Sequence, residues 1–557
     1  MQRYYISILI LFLSYIVYGQ EIPYHTSNTE IYDFIDELAN AKIINVNSAI
    51  KPYARKFIAE KLQEAWQKKN ELSRRQQKEL LFYLRDFYKD LNRSSTNDFV
   101  AKSWFYKDYK MPTYTLKDGT VIKKRLDLYS YSDSNFIVSI NPILGIQYYS
   151  NENGVIHHRW NGAEFFAYAG KHWGMYANLR DNRISEPLVA KKYLTEMPGI
   201  DNKGGEDFSE MRGGIAYSWN WGSLSLVKDH FIWGNNYHGS NIFSGRPPSV
   251  AQIKLHLTPV KWLDFNYIHA WLASDVLDSL RTYKVGAANR QVYYEKYVAA
   301  NMYTVRMFKY LNVSLGNSIV YSSYNINPTF LIPFLYYKST DHGSTVSNDG
   351  GSNAQIFFDI SSRNIKNVHL YTTFFIDEIN FSNFKDTAKQ TNWISGKAGM
   401  RISNFPVKNL MFTVEYTRTN PMVYKHYIET TNFESNQYNM GNYLRDNARE
   451  LYIALGCKPI RGLHFNLAYI YAEKGPDYVD DRLPGHDELG LPFMAKVIWT
   501  REAIEFTTSY QLMNDGYIFL EYSYSNISGA QNELDLYTPK YLQGQTNTIS
   551  LGVNFGF

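Results

Sequence analysis

Two periodicities divide the chain. Up to about residue 100, apolar residues recur every three or four positions; beyond it they alternate with polar ones. In 30–40, Ile31, Phe34, Ile35 and Leu38 fall on one helical stripe. Pro52 opens a second stretch, with Phe57, Ile58, Leu62, Ala65 and Trp66 on one face. Ser73-Arg74-Arg75-Gln76 has the pattern of a capping box, where Ser and Gln side chains each accept from an orphan backbone N–H. Leu80, Leu81, Leu84, Phe87, Tyr88 and Leu91 then share a stripe. Three amphipathic helices can enclose one small core. Arg74, Arg75, Lys78, Arg85 and Lys89 are expected on its solvated outer face.

The cleanest alternation is at 546–557, where Ile549, Leu551, Val553, Phe555 and Phe557 interleave with Ser550, Gly552, Asn554 and Gly556. One face is apolar and the other small and polar, as in a strand between lipid and a wet lumen. A terminal Phe closing such a strand resembles the signal by which bacterial barrel-assembly machinery recognises its clients. That machinery is therefore an expected partner.

Similar strands come in hairpins with tight connections. Ile215, Tyr217 and Trp219 turn through Asn220-Trp221-Gly222 into Leu224 and Leu226. Thr258-Pro259-Val260-Lys261, Asn404-Phe405-Pro406 and Lys458-Pro459-Ile460-Arg461-Gly462 make further turns, with Pro and Gly where they break no ladder. Long polar stretches separate the hairpins, at 182–210, 231–249, 274–299, 322–354, 419–449 and 473–490. Short turns alternating with long loops are the length signature of a transmembrane β-barrel. The expected fold is therefore an all-β transmembrane barrel behind a small N-terminal helical bundle. Counting from 135–149 gives nineteen strands. Both barrel ends on one side require an even number, so eighteen is expected, with the miscount between 512 and 545.

Composition agrees. Aromatic residues make up 16% of the chain, which suits two membrane interfaces. Mean hydropathy is −0.39 and only one stretch could pass for a membrane helix, which excludes a polytopic helical membrane protein. Met1-Gln2-Arg3, the apolar run 4–18 and Gly19 read as a secretory signal peptide cut after Gly19. The expected layout is a signal at 1–19, a periplasmic helical head at 20–100 and an outer-membrane barrel at 101–557, with outer-membrane lipid as a partner. Cys457 alone can form no intrachain disulfide. A net charge of +5 without a basic block gives nucleic-acid binding no support.

No nucleophile elbow or phosphate loop occurs, so no enzyme activity and no cofactor is expected. The adjacent His157 and His158 point to opposite faces of a strand and read as surface histidines, not a metal pair. Asp477, Asp480, Asp481, Asp487 and Glu488 read as a solvated acidic loop. The stretch 228–250 is richer. Trp233, Tyr237 and His238 offer flat faces, while Asn235, Asn236, Asn241 and Arg246 offer planar polar groups. Aromatic stacking combined with fixed amide and guanidinium donors is how proteins hold sugars. The same residues would also serve to pack the barrel lumen.

At this loop the chain resembles the capsule-assembly Wzi family of outer-membrane proteins, through Trp233-Gly234, Gly239-Ser240 and Pro247-Pro248. The head is similar too, in 31–39, Ile43-Ile44 and 51–55. The resemblance implies an eighteen-stranded barrel, a periplasmic helical bundle and a lectin that holds exported capsular polysaccharide at the cell surface. Residues 243–248, 253–257 and 442–450 look like related gliding-motility outer-membrane proteins. In those the same fold would serve surface movement or an associated secretion apparatus, with motility or export proteins as partners.

Overall fold

The described part of a computed structural model covers residues 21–91, 102–103, 113–116, 118–123, 125, 127–133, 135–201, 205–286, 288–343, 351–379, 381, 392–479 and 490–556. The signal-peptide stretch and Phe557 lie outside it. Three helices lead: α1 (Thr29–Asn40), α2 (Arg55–Gln67) and α3 (Arg74–Phe87). The capping box forms, with the Ser73 N–H donating to Gln76 Oε1 at 2.9 Å and the Gln76 N–H to Ser73 Oγ at 3.3 Å. Phe34, Ile35, Leu38, Ile58, Leu62, Leu80, Leu84 and Phe87 share the core, joined by Leu116 and Ile122 from a small hairpin.

Eighteen long strands follow. The first six are β1 (Phe136–Asn151), β2 (Gly154–Ala169), β3 (Trp173–Ile184), β4 (Asp207–Trp219), β5 (Gly222–Asp229) and β6 (Val250–Val260). Next come β7 (Leu263–Leu272), β8 (Lys296–Phe308), β9 (Leu311–Tyr321), β10 (Ser352–Ser362), β11 (Val368–Glu378) and β12 (Trp393–Ser403). The last are β13 (Leu410–Thr419), β14 (Ala448–Cys457), β15 (Leu463–Lys474), β16 (Trp499–Met513), β17 (Gly516–Gly529) and β18 (Gly544–Gly556). Each pairs antiparallel with the next, and β18 closes onto β1 from Ile549↔Ser150 to Gly556↔Ile143. Between 512 and 545 the chain makes one turn, β17 and a short helix, Gln531–Tyr537.

Connections after even-numbered strands are all short, such as 220–221 and 261–262. Those after odd-numbered strands are long, apart from 152–153. Along β18, Ile549, Leu551, Val553 and Phe555 are exposed on the outer wall, whereas Ser550 is buried inside and accepts from Gln147 at 2.6 Å. Trp221, Trp262, Phe308 and Phe405 are exposed at the short-turn end, where an aromatic girdle meets a membrane interface.

The helical head is docked at that same end. Asn40 accepts the Asn367 N–H at 2.6 Å, and Arg75 Nε donates to Asn409 Oδ1 at 3.0 Å. Arg363 pairs with Asp36 at 2.9 Å, and Arg401 with Asp33 at 2.7 Å. Docking overturns the expectation for two basic residues. Arg75 is buried between Glu37 and Glu79, and Lys89 lies 3.1 Å from Asp86 and 3.5 Å from Asp127. Both meet the barrel, Arg75 at Asn409 and Lys89 at Ser139, not water, so buried carboxylates must compensate them.

The stretch 322–343 also departs from a simple outer loop. On β7–β9 the outward-facing set includes Tyr267, Asn301 and Asn317. Tyr267 stands opposite Leu255 and Asn301, and Asn301 opposite Asn317. Amides there would face hydrocarbon unpaired, at a cost of several kcal/mol each. Instead, residues 326–340 fold back over the outside of the wall. Asn301 Nδ2 donates to the Pro333 and Leu335 carbonyls, both at 2.9 Å. Tyr337 N–H donates to Asn317 Oδ1 at 2.9 Å, and the Tyr267 hydroxyl to the Phe330 carbonyl at 2.8 Å. Phe330 and Tyr337 are buried against the wall, while Leu331, Ile332 and Phe334 remain exposed. The strap thus turns its polar groups and two aromatic rings inward and leaves Leu331, Ile332 and Phe334 facing outward.

The Asn301→Leu variant is expected to release this strap. Amide hydrogen exchange over 326–340, measured on the folded barrel, should quicken by about tenfold or more, the loss of hydrogen bonds worth roughly 1 kcal/mol each. Exchange in β7–β9 should stay slow. Unchanged exchange in the strap would refute this anchoring role.

Candidate functional site

The loop 230–249 leaves β5 and turns into the lumen. Its two-residue strand Ile232–Trp233 pairs on one side with Phe243–Ser244 and on the other with Ile50–Lys51, from the link between α1 and α2. Gly234 and Gly245, at φ +95° and +68°, let the chain leave this small sheet in a conformation that a side chain disfavours. The loop then crosses the lumen.

The structure places each of the seven candidate sugar-binding residues along that crossing. Trp233 is 1% exposed, edge-on to Phe243 at 5.3 Å and to Phe357 at 5.9 Å. Asn235 donates to the Asp359 carboxylate through its backbone N–H at 2.7 Å and its Nδ2 at 2.6 Å. Asn236 Nδ2 donates to the Gly234 carbonyl at 2.7 Å. The Tyr237 N–H donates to Glu415 at 2.6 Å, and the Arg401 guanidinium lies 3.3 Å above its ring. The Tyr237 hydroxyl is hydrogen-bonded to His369 Nδ1 at 2.8 Å. His238 stacks on Tyr452, with centroids 4.1 Å apart and planes 8° apart. Asn241 is fully buried, donating to the Ser395 carbonyl at 3.1 Å and accepting from the Thr373 hydroxyl at 2.6 Å.

Arg246 is different. Its Nη2 donates to the Tyr193 carbonyl and its guanidinium lies over Tyr438 at 5.5 Å. Its Nε and Nη1 are buried with no hydrogen-bond partner among the described residues. The loop therefore brings Tyr237 and His238 together against β11–β14. Trp233 and Asn235 sit apart, at β10, and Asn241 at β11 and β12. Amide and aromatic groups suited to a sugar are here engaged by the wall, and a sugar would reach them only by displacing protein partners.

The wall partners escaped the sequence reading. Asp359, Glu415 and Glu450 project into the lumen from β10, β13 and β14. Glu415 is held by Lys397 at 2.9 Å, both buried, and Lys397 also donates to the His238 carbonyl at 2.6 Å. Glu196, from the loop 185–206, completes the set. His238 Nε2 lies 3.1 Å from Glu196 and 3.2 Å from Glu450. Burial alone would lower the imidazole's pKa, but Glu196 and Glu450 more than reverse this and push it up to about 10. Elsewhere, His158 turns inward to Asn182 at 3.2 Å and His157 outward, as adjacency requires. Asp477 is not free in solvent: it pairs with Lys474 at 2.9 Å and accepts from the Tyr537 hydroxyl at 2.6 Å. The rest of that acidic stretch lies outside the described residues.

No family model matches the chain, and no curated protein matches it. Solved structures do. Over 97% of this chain and 100% of the other, it superposes with a TM-score of 0.56 and 12% identity on Wzi of Escherichia coli, described as an outer-membrane protein involved in group 1 capsule assembly and a carbohydrate-binding β-barrel. OprD of Pseudomonas aeruginosa matches with a TM-score of 0.41 and 10% identity, over 75% of this chain and 95% of that one. OccAB2 of Acinetobacter baumannii gives 0.41 and 8%, over 75% and 98%. The first likeness makes the fold a Wzi-like, outer-membrane-type barrel.

The crossing loop should limit permeation. In planar bilayers the purified protein is expected to show a conductance far below that of an open eighteen-stranded pore. Glu415→Ala strands buried Lys397 and removes the acceptor of the Tyr237 and His238 N–H groups. It should destabilise the loop by roughly 3–5 kcal/mol and raise conductance. Large conductance in the unmodified protein would contradict this account.

Proposed function

We propose that this barrel sits in the outer membrane, long loops outward, and binds or anchors surface or capsular polysaccharide without catalysing a reaction on it. The carrying observation is that the lumen is occupied from both ends. The helical head enters from the short-turn side and the loop 230–249 from the other. A barrel filled in this way presents a fixed outer surface, not a passage. With both ends of the strand array on the short-turn side, the head lies in the periplasm.

The long-loop end carries flat faces that the sequence reading did not single out. Tyr283, Tyr293 and Tyr427 are exposed there. Rings free on one side can stack on sugar rings, and their hydroxyls can engage sugar hydroxyls. In this reading the buried set from Trp233 to Arg246 acts beneath that surface: His238 and Arg246 tie down the loop 185–206 through Glu196 and Tyr193. The carbohydrate-binding description of the Escherichia coli barrel supports the same reading.

Co-sedimentation of the purified protein with the cell's own surface polysaccharide tests it. Binding is expected, and replacing Tyr283, Tyr293 and Tyr427 by Ala should weaken it by about fivefold per stacking face, or about 1 kcal/mol each. A deletion strain should shed polysaccharide. Absent binding, with polysaccharide normally retained and surface movement lost, would replace this reading with a structural part of a gliding or secretion apparatus.

A further inference from the structure

Glu196, His238 and Glu450 meet from three separate segments: the loop after β3, the loop after β5 and strand β14. Their three facing atoms, Glu196 Oε1, His238 Nε2 and Glu450 Oε1, lie 3.1 and 3.2 Å apart along the chain of contacts. All lie within 4.8 Å of one another. Neighbouring ligands held about 2.1 Å from one metal ion are separated by about 3 Å, so the spacing fits a shared ion. Glu450 adds a second observation. Its residue is 2% exposed, yet its Oε2 has no hydrogen-bond partner among the described residues. The other oxygen accepts from the Tyr443 hydroxyl, which fixes the carboxylate as an outer-sphere partner fixes a metal ligand.

Arg501 lies 3.3 Å from Glu196 and also pairs with Glu505. A ligating imidazole is neutral, so an ion here would displace the proton that Glu196 and Glu450 favour on His238. We propose that Glu196, His238 and Glu450 form a site for a divalent transition metal of the zinc or manganese class, bridging the loops 185–206 and 230–249 to the barrel wall. Two carboxylates with an imidazole suit such ions, whereas calcium and magnesium favour all-oxygen sets. The Glu196 side chain is 31% exposed, which leaves the ion an entry path. A second cluster of this kind among the described residues, His25, Asp229 and His230, is less suited. Its imidazoles are hydrogen-bonded to each other at 3.2 Å, and Arg212 already stands 3.8 Å from Asp229.

The test uses the full-length barrel in detergent, without a histidine tag, stripped with EDTA and dialysed. Titration calorimetry with zinc chloride and manganese chloride, checked by elemental analysis, should give about one equivalent bound per chain. Calcium chloride should bind at least tenfold more weakly. His238→Ala and Glu450→Gln should each lose tenfold or more in zinc affinity, while His157→Ala keeps it. Should Glu450→Gln fail to fold, as judged by loss of heat-modifiable gel migration, Glu196→Gln takes its place. Zinc should also raise the melting temperature of the unmodified barrel but not of His238→Ala. Absence of stoichiometric binding, or equal binding by the His238 and carboxylate variants, overturns the proposal. This outcome is independent of polysaccharide binding, which the same samples can be assayed for without metal.

Discussion

A strand in hydrocarbon has no water to satisfy its backbone, so a sheet there must close on itself. The β18–β1 ladder meets that demand, and the rest of the molecule follows from it. Eighteen strands enclose more space than their own side chains can fill. The wall alternates, so half its residues turn into that space and carry amides, hydroxyls and charges. Buried polar groups without partners are costly. Material has to enter the lumen and pair with them: the helical head and the loop 230–249 do so, and Tyr424 and Met440 of the loop after β13 pack against the latter.

The architecture was legible because it rests on local pattern. Alternation marked the strands, Pro and Gly marked the turns, and Ser73 with Gln76 marked the start of α3. Destinations were not legible, since local pattern carries no information on what lies across a lumen. Arg75 and Lys89 look solvated on a helical wheel, and only docking buries them. The stretch 326–340 reads as a loop, and only the register of β7–β9 shows that it shields Asn301 and Asn317. The candidate residues Trp233 to Arg246 combine flat and polar groups, a composition equally suited to sugar and to a polar lumen. One signal did point inward. Asp359 and Glu415 interrupt apolar neighbours in membrane strands, and a lone carboxylate at such a position demands a partner from elsewhere in the chain.

The same rule operates on both surfaces of the wall. Inside, Asp359 and Glu415 are satisfied by backbone and side-chain donors of a loop folded inward. Outside, Asn301 and Asn317 are satisfied by the backbone of a loop folded outward over them. In each case irregular backbone is tolerated beside the barrel because its own polar groups meet partners in the wall. The remaining outer loops are left to form the face exposed to the surroundings, and their footing is set by the segments that fold away from it.

Head and crossing loop are joined, which bears on how that outer face is held. Asp36 on α1 pairs with Arg363, Arg363 donates to Ser48 at 3.0 Å, Ser48 donates to Asn235 at 2.6 Å, and Asn235 reaches Asp359 on β10. Alongside this polar chain, Ile50 pairs with Trp233 in the small lumen sheet. A head of this kind is not a detachable cap. Without it, Asn235 would lose its donor and Trp233 one edge of its sheet, both deep in the barrel, where no bulk solvent replaces them. Since His238 and Arg246 lie on the same loop and hold the segment 185–206, order at the outer face depends on packing at the opposite end of the barrel. The surface proposed to hold polysaccharide is therefore the far end of one continuous framework that begins at α1.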